Sequence, residues 1–349
     1  MEKISGLIKI SQYAGMREDL VQAGGGNTSV KIDKEGMYIK ASGYQLAEIT
    51  KTDGYSKVNY RHIINFFNET DLGDITLEDE KKILEKAFID GKKPSIEIFL
   101  HSITDVYTLH THPVLVNILA CRTGGMETLK KIFPDSLVID YATPGIKLAK
   151  EYFKKYKEES KGGEKLYDII FLKNHGLIVS AKTPEMVIKK NEEVLHELEK
   201  YLKINMKSYR NSTFLYNEIS DFIPNDIVYL SNDFDIKKFL NDKISLDYWF
   251  CPDCLVYCGK RPLVLEDKNI KEKLKIHIQQ YGKPVIVFYE NNIYILAQTI
   301  KKAKEIESVL SFSIKVLNHN KNSEIDFLDE DEQNFLLNWD AEKYRQNMK

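Results

Sequence analysis

The spacing of apolar and polar positions changes several times along the first 205 residues and predicts alternating helices and strands. Asp33-Lys34-Glu35-Gly36 predicts a turn that closes a hairpin. Pro94 suits the first turn of a short helix. We predict an α/β domain with helices over residues 4–22, 59–69, 78–90, 114–121, 146–156 and 184–204, and strands over residues 29–32, 37–40, 107–112, 136–141, 168–172 and 177–179.

The C-terminal part echoes some of this pattern. Pro252-Asp253-Cys254-Leu255-Val256 is similar to Pro134-Asp135-Ser136-Leu137-Val138, and residues 288–296 are similar to residues 171–179. We therefore expect one α/β domain over residues 1–217 and a smaller α/β unit over residues 218–349 that is a degenerate partial repeat. Asn292 is expected at the position of His175, a candidate metal ligand. This replacement predicts that the second unit holds no metal.

An amphipathic helix is predicted at the end of the chain, over residues 329–346. Its apolar anchors are Phe335, Leu336, Trp339 and Tyr344. We expect this helix to pack on its own chain rather than on a partner.

Length and charge narrow the class of protein. The 349 residues are enough for a sizeable core, and the formal charge is −2, from 50 basic and 52 acidic residues. A nucleic-acid partner is not expected, because such proteins carry a basic excess. No apolar run approaches the ~20 residues that span a bilayer, and the N-terminus has no signal-peptide pattern. We expect a cytoplasmic protein with no membrane association.

The four cysteines are too few for a disulfide framework in a chain of this length. Cys251, Cys254 and Cys258 form a cluster in the sequence. Three thiols without a nearby histidine or fourth cysteine make an incomplete structural zinc site. A small buried cluster is the favoured interpretation, and a metal site is the alternative.

Candidate chemistry centres on His110-Thr111-His112-Pro113. Side chains alternate along a strand, so two histidines two positions apart share a face. Pro113 cannot continue a sheet ladder, which leaves both rings at the strand end. His175 adds a third imidazole from a turn between two apolar strands, and Glu97 adds a carboxylate. Three imidazoles with an open fourth position are typical of a catalytic zinc site.

A glycine-rich segment, Gly24-Gly25-Gly26-Asn27, precedes the first predicted strand. Consecutive glycines allow positive φ and let successive amides face an anion. A plain turn is the simpler interpretation of the glycines alone. Asn27 and the later Ser42-Gly43 favour an anion site.

Five motifs in order resemble the class II aldolase/adducin superfamily, most closely its rhamnulose-phosphate and fuculose-phosphate aldolases. The motifs are Gly24-Gly25-Gly26-Asn27-Thr28-Ser29, Lys40-Ala41-Ser42-Gly43, Pro94-Ser95-Ile96-Glu97, His110-Thr111-His112-Pro113 and Asn174-His175-Gly176. The resemblance covers roughly residues 10–205. It implies a three-layer α/β/α sandwich with a central, mostly antiparallel sheet.

The resemblance also implies the roles of the site residues. His110, His112 and His175 would bind Zn²⁺ or another divalent metal, and Glu97 would be the catalytic acid/base. The implied phosphate-binding residues are Asn27, Ser42, Gly43 and Ser95. The family often has a second serine before the glutamate, and Ile96 stands there in this chain.

The implied activity is reversible cleavage of a ketose phosphate to dihydroxyacetone phosphate and an aldehyde, through a metal-stabilised enediolate. The implied assembly is a homo-oligomer, either a dimer or a tetramer. Sugar-phosphate epimerases, dehydratases and decarboxylases resemble the chain in the same motifs and are the enzymatic alternatives. A non-catalytic, adducin-like interaction protein is the alternative from another class.

Overall fold

A computed structural model describes residues 2–73, 75–160, 166–239, 246, 248–266 and 269–338. The chain divides into two compact units, Met1–Met206 and Lys207–Lys349. The expected boundary after residue 217 falls inside the helix Lys207–Ile219, which belongs to the second unit.

The first unit is built on one eight-stranded sheet with helices on both faces. The strands are β1 (Asn27–Lys31), β2 (Gly36–Lys40), β3 (Tyr55–Asn59), β4 (Phe88–Gly91), β5 (Tyr107–Thr111), β6 (Leu137–Ile139), β7 (Ile169–Leu172) and β8 (Gly176–Ala181). The helices are α1 (Glu2–Gly15), α2 (Tyr60–Glu69), α3 (Leu77–Ala87), α4 (Ile98–Ser102), α5 (Val114–Ala120), α6 (Gly125–Ile132), α7 (Ile146–Glu159) and α8 (Pro184–Leu202).

The strand order is β4-β3-β2-β1-β5-β8-β7-β6. Only the β6–β7 pair is parallel among the strand pairs of this sheet, so the mostly antiparallel prediction is confirmed. Two apolar cores cover the two faces of the sheet: Leu109 and Val179 belong to one, and Ile178 belongs to the other. This alternation along β8 gives the predicted three layers, α/β/α.

The local predictions differ from the structure near residues 88–98. The helix predicted over 78–90 ends at Ala87, and the chain continues as β4, which pairs with β3. The helix predicted from Pro94 begins only at Ile98, because Pro94 forms an antiparallel bridge with Ala41. Both differences arise from pairing with distant parts of the chain, which periodicity does not report.

The second unit contains a four-stranded sheet in the order β10-β11-β12-β9. Its strands are β9 (Ile227–Leu230), β10 (Leu263–Leu265), β11 (Ile286–Tyr289) and β12 (Asn292–Ala297). Its described helices are α9 (Lys207–Ile219), α10 (Phe234–Phe239), α11 (Pro252–Cys258), α12 (Ile270–Tyr281), α13 (Ile300–His319) and α14 (Glu330–Asn338).

The pairing within this sheet matches that of β6-β7-β8-β5 in the first unit. Strand β9 pairs antiparallel with β12, placing Ile227 opposite Ala297, as β5 places Tyr107 opposite Ala181. Strand β10 runs parallel to β11, as β6 runs parallel to β7. The shared order and register fit a partial repeat of the first unit's C-terminal half.

The repeat aligns differently from the sequence-based prediction. Residues 252–256 lie in helix α11, whereas Leu137 and Val138 lie in strand β6, whose counterpart by pairing is β10. Three residues separate the closing pair Leu172–Gly176, but only two separate Tyr289 from Asn292. Asn292 therefore corresponds to Gly176, and the shorter turn has no residue equivalent to His175.

The position that His110 occupies in the first unit also holds a different residue in the second unit. Leu230 pairs opposite Tyr294 in the register that His110 occupies opposite Ile178. In the shortened turn, the Glu290 carboxylate instead accepts hydrogen bonds from Lys207 Nζ and Asn211 Nδ2, at 2.9 Å each. The shortened turn thus carries an ion pair between Glu290 and Lys207, where the corresponding turn of the first unit carries His175.

The C-terminal helix is described only as far as Asn338. Leu336 is buried in the second unit's core, and Phe335 is exposed. The predicted anchors Trp339 and Tyr344 lie outside the described residues. Within the described part of the chain, no helix has the length and apolar character needed to cross a membrane.

Candidate metal and catalytic site

Two of the predicted ligands come from strand β5. Leu109 packs into one core, so His110 projects to the opposite face of the sheet. The strand ends at Thr111, and Pro113 caps α5, which leaves His112 at the edge of the sheet. The Nε2 atoms of His110 and His112 are 3.1 Å apart. The predicted common face of the two histidines is therefore present.

His175 comes from the turn between β7 and β8. The turn needs Asn174 at a positive φ of 52°, a conformation that asparagine tolerates. Gly176 follows where a Cβ atom would lie 2.2 Å from the Thr111 carbonyl oxygen, so no larger residue fits without movement. His175 Nε2 lies 3.2 Å from His110 Nε2. The turn thus delivers the third imidazole.

Glu97 immediately precedes helix α4 and occupies its N-cap position. Its Oε1 atom is 3.3 Å from His110 Nε2 and 3.4 Å from His175 Nε2. Only 15% of the side chain is exposed. The structure therefore brings Glu97 and the three histidines together, and one ligand atom from each lies within 4.8 Å of all the others.

The donor geometry fits a divalent metal. With Zn–N distances of about 2.0–2.1 Å, tetrahedral coordination separates two imidazole nitrogens by about 3.3 Å. The observed Nε2 separations from His110 are 3.1 and 3.2 Å. His110 Nδ1 lies 3.0 Å from the Leu177 carbonyl oxygen, which can only accept, so Nδ1 carries a proton and Nε2 is the nitrogen that faces the cluster.

The charges of the carboxylate and the imidazoles in this cluster affect one another. Burial favours a raised pKa for Glu97, but His110 and His175 outweigh burial and hold the pKa well below its ordinary value. Burial opposes charge on His110, but Glu97 outweighs it and raises the pKa of His110. Burial and the neighbouring His110 and His175 lower the pKa of His112 to about 3. A neutral His112 keeps a free lone pair for a metal.

The glycine-rich segment lies against the histidines. A Cβ atom on Gly25 would lie 2.9 Å from His112 Nδ1, and Gly26 has a positive φ of 76°. Asn27 pairs opposite His110 in the β1–β5 ladder, so both side chains share a face. The Asn27 amide nitrogen and oxygen are buried and have no hydrogen-bond partner in the described protein. Orphaned amide atoms beside the cluster suit a bound ligand.

The other predicted phosphate-binding residues come from two adjacent loops. The Ala41–Pro94 bridge joins the loops, Ser42 N donates to Lys93 O, and Ser95 N donates to Lys40 O. Ser42 and Gly43 are exposed, and Ser95 is half-buried. These backbone bonds set Ser42, Gly43 and Ser95 on one continuous surface.

Lys40 anchors this surface from beneath and was not predicted as a site residue. Its ammonium is buried and donates to the Tyr44 carbonyl oxygen at 2.7 Å. Burial lowers the pKa of Lys40, and the nearby Glu97 carboxylate opposes that shift. Its place in the Lys40-Ala41-Ser42-Gly43 motif is the sequence feature that could have identified it.

Two further supports were also missed. Asn117 Nδ2 donates to the His175 carbonyl oxygen at 3.2 Å and ties the ligand turn to helix α5. The Leu20 carbonyl oxygen accepts from His112 N at 2.8 Å, in a segment fixed by the buried Arg17–Asp19 ion pair. Neither residue type nor spacing distinguishes these contacts in the sequence, because they join distant segments.

His101, one turn after Glu97, lies outside the ligand cluster. It is fully buried, and its Nδ1 atom is 2.7 Å from Ser29 Oγ. Burial lowers the pKa of His101 to about 3, so the ring is neutral. His101 therefore packs beneath the site.

Comparison with known proteins identifies the family. Residues 6–202 match the family described as the class II aldolase and adducin N-terminal domain. The match covers more than half of the chain, and the chain belongs to this family. No curated protein matches the chain.

Several solved structures are similar to part of this chain. The N-terminal class II aldolase domain of a conserved protein from Thermoplasma acidophilum shares 24% identity, covers 57% of this chain and 93% of its own, and has a TM-score of 0.49. A sugar-phosphate aldolase from Thermotoga maritima shares 15%, covers 58% and 94%, and has a TM-score of 0.41. The L-fuculose-1-phosphate aldolase from Thermus thermophilus shares 18%, covers 63% and 97%, and has a TM-score of 0.37.

Proposed function

We propose that this protein is a zinc-dependent aldolase that reversibly cleaves a ketose phosphate to dihydroxyacetone phosphate and an aldehyde. The observation that carries the proposal is the convergence of three imidazole nitrogens and one carboxylate oxygen within 4.8 Å at the end of strand β5. Family membership supports the reaction class.

His110, His112 and His175 would hold the metal through their Nε2 atoms. Three nitrogen ligands would leave a further coordination position on the metal for substrate oxygens. When bound, the metal supplies positive charge beside the substrate carbonyl and hydroxyl oxygens, where negative charge develops as the C–C bond breaks. The Leu177 carbonyl oxygen holds the His110 ring in the tautomer that this role needs.

Glu97 performs the proton transfer at the nucleophilic carbon in this proposal. Its lowered pKa keeps the carboxylate ionised at neutral pH, ready to accept a proton. Only 15% of the side chain is exposed, and the carboxylate that takes a proton from this carbon in one direction would give a proton back to it in the other. The same group would thus serve as the acid in cleavage and as the base in the reverse direction.

The phosphate would lie against the surface formed by the glycine-rich segment and the two bridged loops. Asn27 offers unpaired amide atoms, Ser42 and Ser95 offer hydroxyls, and Gly43 leaves backbone exposed without a side chain. Ile96, which is 38% exposed, stands where the family often has a second serine and offers no hydrogen bond. The phosphate would then accept hydrogen bonds from fewer hydroxyl groups than in family members that have this serine.

The test is a screen of ketose 1-phosphates with the zinc-loaded protein, in which both products are measured. Aldehyde and dihydroxyacetone phosphate appearing in equal amounts, and neither appearing with the Glu97→Gln protein, would support the proposal. An epimerised sugar phosphate, or release of water or CO₂, would assign the site to the other reactions. No turnover of any substrate by protein that binds no metal would favour the adducin-like interaction role.

Assembly is part of the same proposal. Members of the family are expected to form homo-oligomers, and the predicted dimer or tetramer is tested by light scattering of the full chain. A protein that is a monomer at micromolar concentration and retains full activity would contradict the proposed homo-oligomer.

A further inference from the structure

Two cysteines of the second unit lie side by side at the start of helix α11. Cys251 is the N-cap residue, and Pro252 is the first residue of the helix. An N-cap side chain folds back over the first turn, where the third helical residue lies. That residue is Cys254, and the two Sγ atoms are 3.0 Å apart. Both cysteines are free thiols in this structure.

The separation is close to that needed for a covalent bond. A disulfide has an S–S length of about 2.05 Å, so a movement of about 1 Å joins the two sulfurs. The two thiols are therefore placed to form an intramolecular disulfide.

The two sulfurs differ in accessibility. Cys251 is partly exposed, whereas Cys254 is fully buried. Burial raises the pKa of Cys254 to about 12, which keeps its thiol protonated and protected from solvent reagents. A small-molecule disulfide can thus reach Cys251 but not Cys254, which defines the order in which the sulfurs react.

The third cysteine of the sequence cluster does not join this pair. Cys258 is fully buried in the second unit's core, and burial raises the pKa of its thiol. Among the described residues, the only group of three or more possible metal ligands is the one around His110. The sequence cluster of three cysteines therefore consists of an adjacent pair, Cys251 and Cys254, and one core residue, Cys258.

We propose that Cys251 and Cys254 form a thiol–disulfide exchange site that takes low-molecular-weight disulfides as its substrate. The Cys251 thiolate attacks one sulfur of a disulfide RSSR, forming a mixed disulfide and releasing RS⁻. The Cys254 thiol loses its proton as its sulfur attacks the Cys251 sulfur, which forms the internal disulfide and releases a second RS⁻ that takes up a proton. The two protein thiol protons pass to the two RS⁻ groups, so that one RSSR becomes two RSH.

The experiment uses the full chain in a Cys121→Ser background, which removes the exposed cysteine of the first unit. Reduced protein is incubated with oxidised glutathione, its free thiols are alkylated under native conditions, and peptides are analysed by mass spectrometry. We expect Cys251 and Cys254 to be joined and to be released by dithiothreitol. Cys258 should stay reduced and should be alkylated only after denaturation, which shows that the protein remained folded.

Single substitutions separate the two sulfur roles. Cys254→Ser should stop the reaction at the first step and leave one glutathione on Cys251, whereas Cys251→Ser should react with none. Cys258→Ser is the matched control and should form the internal disulfide as the parent protein does. Fluorescence of Trp249, which is fully buried two residues before Cys251, should fall on oxidation in a Trp339→Phe background.

Three results would overturn the proposal. The first is that, after incubation with oxidised glutathione alone, Cys251 and Cys254 are not joined, so that both are fully alkylated once the protein is denatured. The second is that folded protein pairs Cys258 with either cysteine. The third is that the Cys254→Ser protein, with Cys258 still protected, carries no glutathione on Cys251.

Discussion

The Nδ1 atom of His110 donates a hydrogen bond to the carbonyl oxygen of Leu177, at 3.0 Å. Leu177 lies on the neighbouring strand β8, directly after Gly176, so the sheet itself fixes the His110 ring. The hydrogen bond keeps a proton on Nδ1, so Nε2 is the only ring nitrogen of His110 to which a further proton or a metal can bind. Protons and metal ions should therefore compete at this nitrogen.

The first prediction is proton release on zinc binding. Glu97 raises the pKa of His110 above its ordinary value, so metal-free protein keeps a proton on Nε2 to a higher pH than an ordinary histidine does, and zinc must displace it. Zinc affinity should rise with pH until His110 is deprotonated and then level off. Titration calorimetry in two buffers of different ionisation enthalpy should show about one proton released at pH 6 and fewer at pH 9. An affinity that is constant across this range would contradict the competition.

The second prediction concerns Asn117, which holds the turn that carries His175. Asn117→Leu removes the bond to the His175 carbonyl oxygen and leaves a side chain of similar size. Loss of a supporting bond of this kind should weaken zinc binding about 10-fold, or about 1.4 kcal/mol. Thermal unfolding of the metal-free protein is the control for general destabilisation. Unchanged zinc affinity would show that the turn holds its shape without Asn117.

The third prediction separates metal binding from proton transfer. Glu97→Gln keeps the shape of the side chain but cannot accept a proton, so the protein should keep its zinc and lose hydrogen exchange on dihydroxyacetone phosphate by about 100-fold or more. The exchange is followed by proton resonance in deuterated water. Glu193→Gln, an exposed carboxylate on α8, is the matched control and should exchange at the parent rate. Exchange by Glu97→Gln at that rate would place the base elsewhere.

The fourth prediction follows from the division of the chain at Met206. A protein of residues 1–206 contains the whole ligand set and both cores of the first unit, so it should bind one zinc ion per chain. A protein of residues 1–217 adds most of α9, a helix of the second unit whose apolar residue Leu215 is buried in the full chain. That longer fragment should be the less soluble of the two, as judged by the soluble fraction on expression. Loss of zinc from a folded 1–206 protein would contradict the assignment of the site to the first unit.

The sequence predicts the parts of the site that depend on local geometry. Alternation along a strand gives the common face of His110 and His112, and two flanking apolar strands give the turn position of His175. The parts that depend on long-range pairing were missed: the Ala41–Pro94 bridge starts α4 late and makes Glu97 its N-cap, and no local pattern reports this.

In the second unit, too, the sequence pattern does not report how the strands pair. Its repeat is visible in the sequence around the hairpin, but the sequence pattern matches the wrong segment, residues 252–256, to strand β6. A turn that is one residue shorter changes which residue follows it, so the pattern assigns Asn292 to the place of His175 rather than Gly176. Only the strand register distinguishes these alignments, because one deletion leaves the apolar pattern on either side unchanged.

Zinc content of the parent and His175→Ala proteins tests the central claim most directly. Each protein is purified, equilibrated with a small excess of zinc at neutral pH and dialysed, and zinc per chain is measured by mass spectrometry. The exposed His196→Ala protein is the matched control. The account predicts one zinc ion per chain in the parent and control proteins and almost none in folded His175→Ala. One zinc ion per chain retained by His175→Ala would contradict it.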